Sequence, residues 1–169
     1  AADGCGIYAA YNESTHRYST IDVDSSTVIG VQAGIMTNKG HVSVAQSTVT
    51  GTEYGILAKN AGWIDLESGT VRGEVGVHTS AYGGILTLGA EGTGGPTVYG
   101  KTHGIDSDCD VTAYSGTINC PEGIGIFLGW HYSGPNESAG AGLYLEGTPT
   151  IDAATDIYLD YDKTLVDNR

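Results

Sequence analysis

The sequence predicts an all-β fold: a right-handed parallel β-helix with three sides, about six to seven turns and a base period of 21 residues. Three observations carry this expectation. A Gly-Ile or Gly-Val step recurs at fixed spacing, each repeat holds further short segments of alternating polarity, and no segment has the 3.6-residue apolar period of a helix.

The first strand of each turn is marked by Gly6-Ile7, Gly34-Ile35, Gly55-Ile56, Gly76-Val77, Gly104-Ile105 and Gly125-Ile126, at spacings of 28, 21, 21, 28 and 21 residues. A degenerate seventh copy, Asp156-Ile157, follows 31 residues later, so the departures from 21 are insertions of 7, 7 and 10 residues. The second strand is the alternating segment seen in His41-Val42-Ser43-Val44, Trp63-Ile64-Asp65-Leu66, Asp110-Val111-Thr112-Ala113 and Gly142-Leu143-Tyr144-Leu145. The third is Thr followed by Val or Ile: Thr27-Val28, Thr48-Val49, Thr70-Val71, Thr97-Val98, Thr117-Ile118 and Thr150-Ile151. Period-two alternation sends successive side chains to opposite faces. Ile7, Ile35, Ile56, Val77, Ile105, Ile126 and Ile157 are therefore expected to form one inward ladder, and the Val/Ile of the third segment another. The threonines that precede that second ladder form an outward row. On the first face the outward positions are expected to be the Gly column and the column Tyr8, Met36, Leu57, His78, Asp106, Phe127 and Tyr158.

Composition bounds the rest. The chain has 169 residues, 27 of them Gly, and 40% apolar residues, enough to bury the core of a single domain spanning 1–169. A formal net charge of −13 excludes nucleic acid as a partner, and no apolar run is long enough for membrane insertion. The N-terminus lacks the charged and apolar regions of a signal peptide, so the chain is expected to be mature or a segment of a larger protein. Cys5, Cys109 and Cys120 lack zinc-ligand spacing; Cys109 and Cys120, within one repeat, are either bridged or buried as free thiols.

On Ser68-Gly69-Thr70-Val71-Arg72-Gly73, Ser115-Gly116-Thr117-Ile118 and the Gly-Ile steps, the chain resembles the right-handed parallel β-helix proteins of the pectate-lyase-like superfamily. The likeness is strongest to the Gly/Thr-rich repeats of bacterial surface adhesins and autotransporter passengers, and it covers nearly the whole chain. It implies an extracellular or cell-surface location. It does not select an activity, because this architecture serves lyases, hydrolases, adhesins and inert stalks. The polysaccharide-cleaving members imply a calcium-binding Asp cluster with a basic residue, or an Asp set with Gly-His-Gly and Arg-x-Lys; here Thr102 precedes His103-Gly104 and no Arg-x-Lys occurs.

No cofactor is expected from the sequence; Asp106, Asp108 and Asp110 are the densest carboxylate group and the one candidate Ca²⁺ site, and their ordinary reading is an acidic, solvating turn. An EF-type loop is excluded because Val111 and Thr117 stand at its sixth and twelfth positions. For acid–base chemistry, His78 one turn away is the nearest partner of Asp106.

Insertions are the better functional signal on a repeat protein. Residues 11–18, with Tyr11 and Tyr18, and residues 130–138, with Trp130 and Tyr132, both fall between the first and second strands. Between them runs the outward column with Leu57 and His78. Two aromatic loops flanking such a strip suit a neutral glycan or an apolar segment of a partner. The expected function is thus a non-catalytic, structural or adhesive extracellular β-helix, binding glycan on a host or neighbouring cell or stacking end to end on its own copies into a filament; the alternative is a polysaccharide lyase or glycoside hydrolase. An ice-binding reading of the Thr row fails on its neighbours, Ile29, Thr50, Arg72, Tyr99, Asn119 and Asp152, which are too uneven to match a lattice.

Overall fold

The computed structural model describes residues 4–14, 16–60, 62–80, 84–129, 141–160 and 163–169. These are 70% strand with no helix, so none is long and apolar enough to cross a membrane. The chain runs through β1 (Ile7–Ala10), β2 (Ser19–Asp24) and β3 (Thr27–Gly30), then β4 (Ala33–Asn38), β5 (Gly40–Ala45) and β6 (Ser47–Gly51). The next two repeats are β7 (Tyr54–Lys59), β8 (Trp63–Leu66) and β9 (Gly69–Arg72), and β10 (Val75–Ser80), β11 (Ile85–Leu88) and β12 (Thr97–Tyr99). It ends with β13 (His103–Ser107), β14 (Asp110–Ala113), β15 (Thr117–Leu128), β16 (Gly142–Leu145), β17 (Thr150–Leu159) and β18 (Thr164–Asp167).

Every paired strand is parallel to its neighbours, and each pairs with the strand one repeat away. Second strands form a seven-stranded sheet, β18-β16-β14-β11-β8-β5-β2. First and third strands each form a column, and the two columns join into an 11-stranded sheet because β15 and β17 run unbroken from one into the other. A register shift between Cys120 and Ile124 absorbs the corner that they turn.

The registers confirm the predicted ladders: Ile7 pairs with Ile35, Ile35 with Ile56, Ile56 with Val77, Val77 with Ile105, Ile105 with Ile126 and Ile126 with Ile157. Ile35, Ile56, Val77, Ile105 and Ile126 are fully buried together with Val49, Val98, Ile64, Leu86, Val111 and Leu143 in one continuous core. Like stacks on like because a parallel register repeats each environment at about 4.8 Å. The Thr row is also as predicted, Thr27 pairing with Thr48 and so on to Thr150, all exposed or half-exposed.

The Gly column corrects the expectation. A side chain at Gly34, Gly55, Gly76, Gly104 or Gly125 would not face outward: its Cβ would lie within 2.4–2.6 Å of a methyl of Val49, Val71, Val98, Ile118 or Ile151, inside the core. These glycines sit where the first strand leaves a corner and passes close to the third strand's ladder, and only a residue without Cβ fits there. The outward column is instead one residue earlier: Ala33, Tyr54, Val75, His103 and Ile124.

All three cysteines are free thiols; Cys109 and Cys120 are buried and Cys5 is half-buried against Met36. Burial pushes both buried thiols above their usual value. At Cys109 the Thr79 hydroxyl and the Gly84 amide offset this in part.

Candidate functional site

Three surfaces collect residues capable of recognition. The first is the corner before β2. Asn12 and Arg17 form an isolated antiparallel bridge, with N–H···O distances of 3.1 and 3.4 Å, which brings the two ends of this insertion together. The amide of Tyr11 donates to the Asn38 carbonyl at 2.8 Å, tying the start of the insertion to the next repeat. The rings of Tyr11 and Tyr18 lie 5.4 Å apart, the His16 ring is edge-on to Tyr11 at 6.5 Å, and Lys39 Nζ stands 5.1 Å from the Tyr11 ring centre. Tyr18 is 70% exposed. Its predicted counterparts, Trp130 and Tyr132, lie outside the described residues.

The second surface is the outer side of the first face, where the predicted strip between the loops needs correction. Leu57 is 4% exposed, enclosed with Met36, Ala33 and Tyr54 in a small outer cluster, and offers no contact surface. The reason is the shifted outward column. Ala33 and Tyr54 stand beside Met36 and Leu57, and the two columns cover each other. Further along, the Tyr54 and His78 rings approach to 5.5 Å, those of His103 and Phe127 to 5.6 Å, and Phe127 and Tyr158 stack at 5.2 Å. His78 Nδ1 meets Asp106 Oδ2 at 3.0 Å, both side chains mostly buried. The sequence pairing of His78 with Asp106 is therefore realised, one strand apart in register.

The carboxylates of Asp106, Asp108 and Asp110 do not converge. Asp106 belongs to the His78 pair, whereas Asp110, at the start of β14, accepts the Gly142 amide at 2.8 Å. No group of three or more His, Cys, Asp or Glu side chains able to hold a metal ion occurs among the described residues. Strand direction is the reason: the chain turns a corner between β13 and β14, so close sequence spacing does not become close side chains.

The third surface was missed by sequence reasoning. The outer side of the seven-stranded sheet presents the row His41, Trp63, Ile85 and the row Ser43, Asp65, Thr87. Trp63 is 56% and Ile85 46% exposed. His41 Nε2 meets Asp65 Oδ2 at 2.7 Å. Next to these rows is a groove of about 500 Å³ lined by Asp65, Glu67, Ser68, Thr87 and Thr93. One wall is the segment 89–96, which takes eight residues to join β11 to β12 where the repeat before it uses only Glu67 and Ser68. That segment contains most of the second 7-residue insertion. It is anchored by the Gly89 amide on Leu66 O at 2.7 Å, by Ser115 Oγ on Ala90 O at 3.2 Å and by the Thr117 amide on Pro96 O at 2.8 Å, and Thr93 Oγ1 on Ala90 O at 2.9 Å closes a turn within it. The alternation Trp63-Ile64-Asp65-Leu66 was the available signal, since inward Ile64 and Leu66 force Trp63 and Asp65 outward together.

No protein-family model, curated protein or solved structure matches this chain.

Proposed function

We propose that the chain is a right-handed parallel β-helix serving as a non-catalytic adhesive or structural segment, extracellular or at a cell surface, which recognises a neutral glycan through exposed aromatic side chains. Support for the fold comes from the parallel registers together with the strong steric preference of parallel crossovers for the right hand. Gly/Thr-rich, lysine-poor and acidic composition, and its resemblance to surface-adhesin repeats, support the location. The observation that carries the function is the Tyr11–Tyr18 corner, where the chain departs from its period to hold two rings 5.4 Å apart, one of them largely exposed. Sugar rings stack on such faces by their C–H bonds, which needs no charge and so tolerates the acidic surface.

Binding to a glycan array paired with a reducing-sugar release assay on the same polysaccharides tests the reading. Binding without cleavage is expected, weakened about tenfold by Tyr18→Ala, the loss of one good aromatic contact of about 1.4 kcal/mol, and unchanged by Arg72→Ala on the third face. The enzymatic reading, a polysaccharide lyase or hydrolase, is favoured by one observation, the mostly buried His78–Asp106 pair at 3.0 Å. Turnover abolished by Asp106→Asn would establish it and overturn the adhesive one.

A further inference from the structure

The seven-stranded sheet carries a side-chain arrangement that the period alone does not require. Inside the sheet, Ile64, Leu66, Leu86 and Leu88 fill the core, so any residue serves at the outward positions provided it tolerates water. This chain nonetheless places an indole there, at Trp63, beside Ile85. Two residues along β8 stands Asp65, whose carboxylate is oriented by His41 at 2.7 Å. Past the strand end, the same line of the surface enters the groove walled by segment 89–96. From Trp63 to Glu67 is roughly 13 Å at about 3.3 Å per residue, the reach of a short oligosaccharide.

We propose that Trp63 and this groove form a binding site for a neutral hexose oligosaccharide. The inference rests on the glycan-binding reading above and gives that reading a second, more enclosed contact on a different face. Each component matches one part of such a ligand. The indole supplies a flat apolar platform for the C–H face of one ring. Asp65 and Glu67 carboxylates accept hydrogen bonds from hydroxyls of the next, and charge-assisted bonds of this kind are the stronger ones. Ser68 Oγ accepts the backbone N–H of Gln46 at 2.9 Å, which leaves its own proton to donate. Two carboxylates in a chain of net charge −13 disfavour uronates and sulfated sugars, so the class is neutral. The wall is held on the fold by the Gly89 amide on Leu66 O and by Ser115 Oγ on Ala90 O before any ligand arrives, which lowers the ordering cost of binding.

Trp63 and Trp130 are the two tryptophans of the chain, so Trp130→Phe makes indole emission a reporter of the groove. That variant would be titrated with cellotetraose, mannotetraose and galactotetraose, and separately with trigalacturonate and tetralysine, by fluorescence and calorimetry in parallel. The expected result is heat and a shift of Trp63 emission with at least one neutral tetrasaccharide. In the otherwise native chain, Trp63→Ala should weaken that binding at least tenfold, Asp65→Asn by a smaller factor, and Arg72→Ala not at all. Far-ultraviolet circular dichroism should be unchanged in all three variants, because Trp63 and Arg72 are exposed and Asp65 is half-exposed. Heat from a neutral sugar with Trp63 emission unmoved and affinity retained in Trp63→Ala would overturn the site while leaving the adhesive reading in place. A response to trigalacturonate or tetralysine alone would overturn the ligand class, and no heat from any sugar would sink both readings.

Discussion

Thr37 is a fully buried residue on β4, and its Oγ1 is the buried side-chain oxygen without a hydrogen-bond partner among the described residues. Register relates it through Ala58 to Thr79, two repeats on, where the environment differs: Thr79 Oγ1 and Ser107 Oγ lie 2.6 Å apart, and Ser107 Oγ also bonds the Cys109 carbonyl at 3.0 Å. The same substitution should therefore act in opposite directions at the two positions. An unsatisfied buried hydroxyl costs about 1–3 kcal/mol, and Val restores the shape without the donor. Against this stands the slightly larger methyl, next to a Gly40 whose own added Cβ would lie only 2.3 Å from Thr37 Oγ1. Overpacking a core by a whole methylene costs about 1–3 kcal/mol, and exchanging a hydroxyl for a methyl adds only a fraction of that volume. Thr37→Val is thus expected to raise stability by about 1 kcal/mol, or about 2–4 °C in Tm for a chain of this length. Thr79→Val should lower it by about 1 kcal/mol, the net value of a hydrogen bond. Urea unfolding followed by far-ultraviolet circular dichroism measures both, with the midpoint moving at constant m. A loss of 1 kcal/mol or more in Thr37→Val at unchanged m would refute the reasoning, meaning that the hydroxyl is satisfied, for instance by a buried water.

Other expectations follow from the same geometry. Gly55→Ala should destabilise by about 1–3 kcal/mol or more, because its Cβ would meet the Gly76 carbonyl and a Val71 methyl at 2.5 Å, whereas Gly94→Ala, with nothing within 4 Å, should stay within about 1 kcal/mol of the parent; urea midpoints compare them. Cys109 and Cys120 should resist a thiol reagent in the folded protein and react once guanidinium unfolds it, with bridged or rapidly reacting thiols as the opposing result. Their raised values also set a sign: below the unfolded thiol value near 9.0 they leave stability unaffected, and above it the unfolded state loses its protons first, so stability falls with pH, more steeply than in Cys120→Ala. At the end formed by β1, β2 and β3, each strand has a partner on one side only among the described residues, and a groove of about 710 Å³ lies beside Ile7, Val23, Val28 and Ile29. Exposed Asp22 and Asp24 guard that edge, so end-to-end association should increase as salt shortens the screening length from about 10 Å at 0.1 M to about 3 Å at 1 M; light scattering from a strict monomer throughout would exclude it.

What was legible in the sequence is what a parallel repeat dictates from within. Ile35, Ile56 and Val77 had to be inward because each recurs in the same local context, and stacking turns a sequence period into a spatial column. Positions at the corners were not legible in the same way. Gly55 was assigned outward by strict alternation, but the chain bends there and the alternation restarts, so the missing side chain points at Val71. That single-residue error moved Tyr54 to the outer surface and closed Leu57 from solvent. It also explains why His78 and Asp106, in matching register, were correctly paired while Asp106, Asp108 and Asp110 were not: register is a property of strands, and the aspartates span a corner. Trp63 was legible too, since inward Ile64 and Leu66 put it on the outer side together with Asp65.

The placement of the insertions argues further for the second face. Within a strand, outward side chains stand on a fixed grid set by neighbouring repeats, and the chain changes that grid only by adding residues at a corner. Two of the three insertions, residues 11–18 and those between Leu128 and Gly142, lie between first and second strands; the remaining one is largely in 89–96, between second and third. Both corners border the seven-stranded sheet. The corner between third and first strands has only the small register shift after Cys120. The outer columns of the first face cover each other through Ala33, Met36, Tyr54 and Leu57, and the third face carries a regular Thr row with no added wall. Among the described residues, the sheet with Trp63, Ile85 and Asp65 thus combines exposed apolar surface, an oriented carboxylate and a wall of added chain at 89–96, the combination that a shallow ligand site requires.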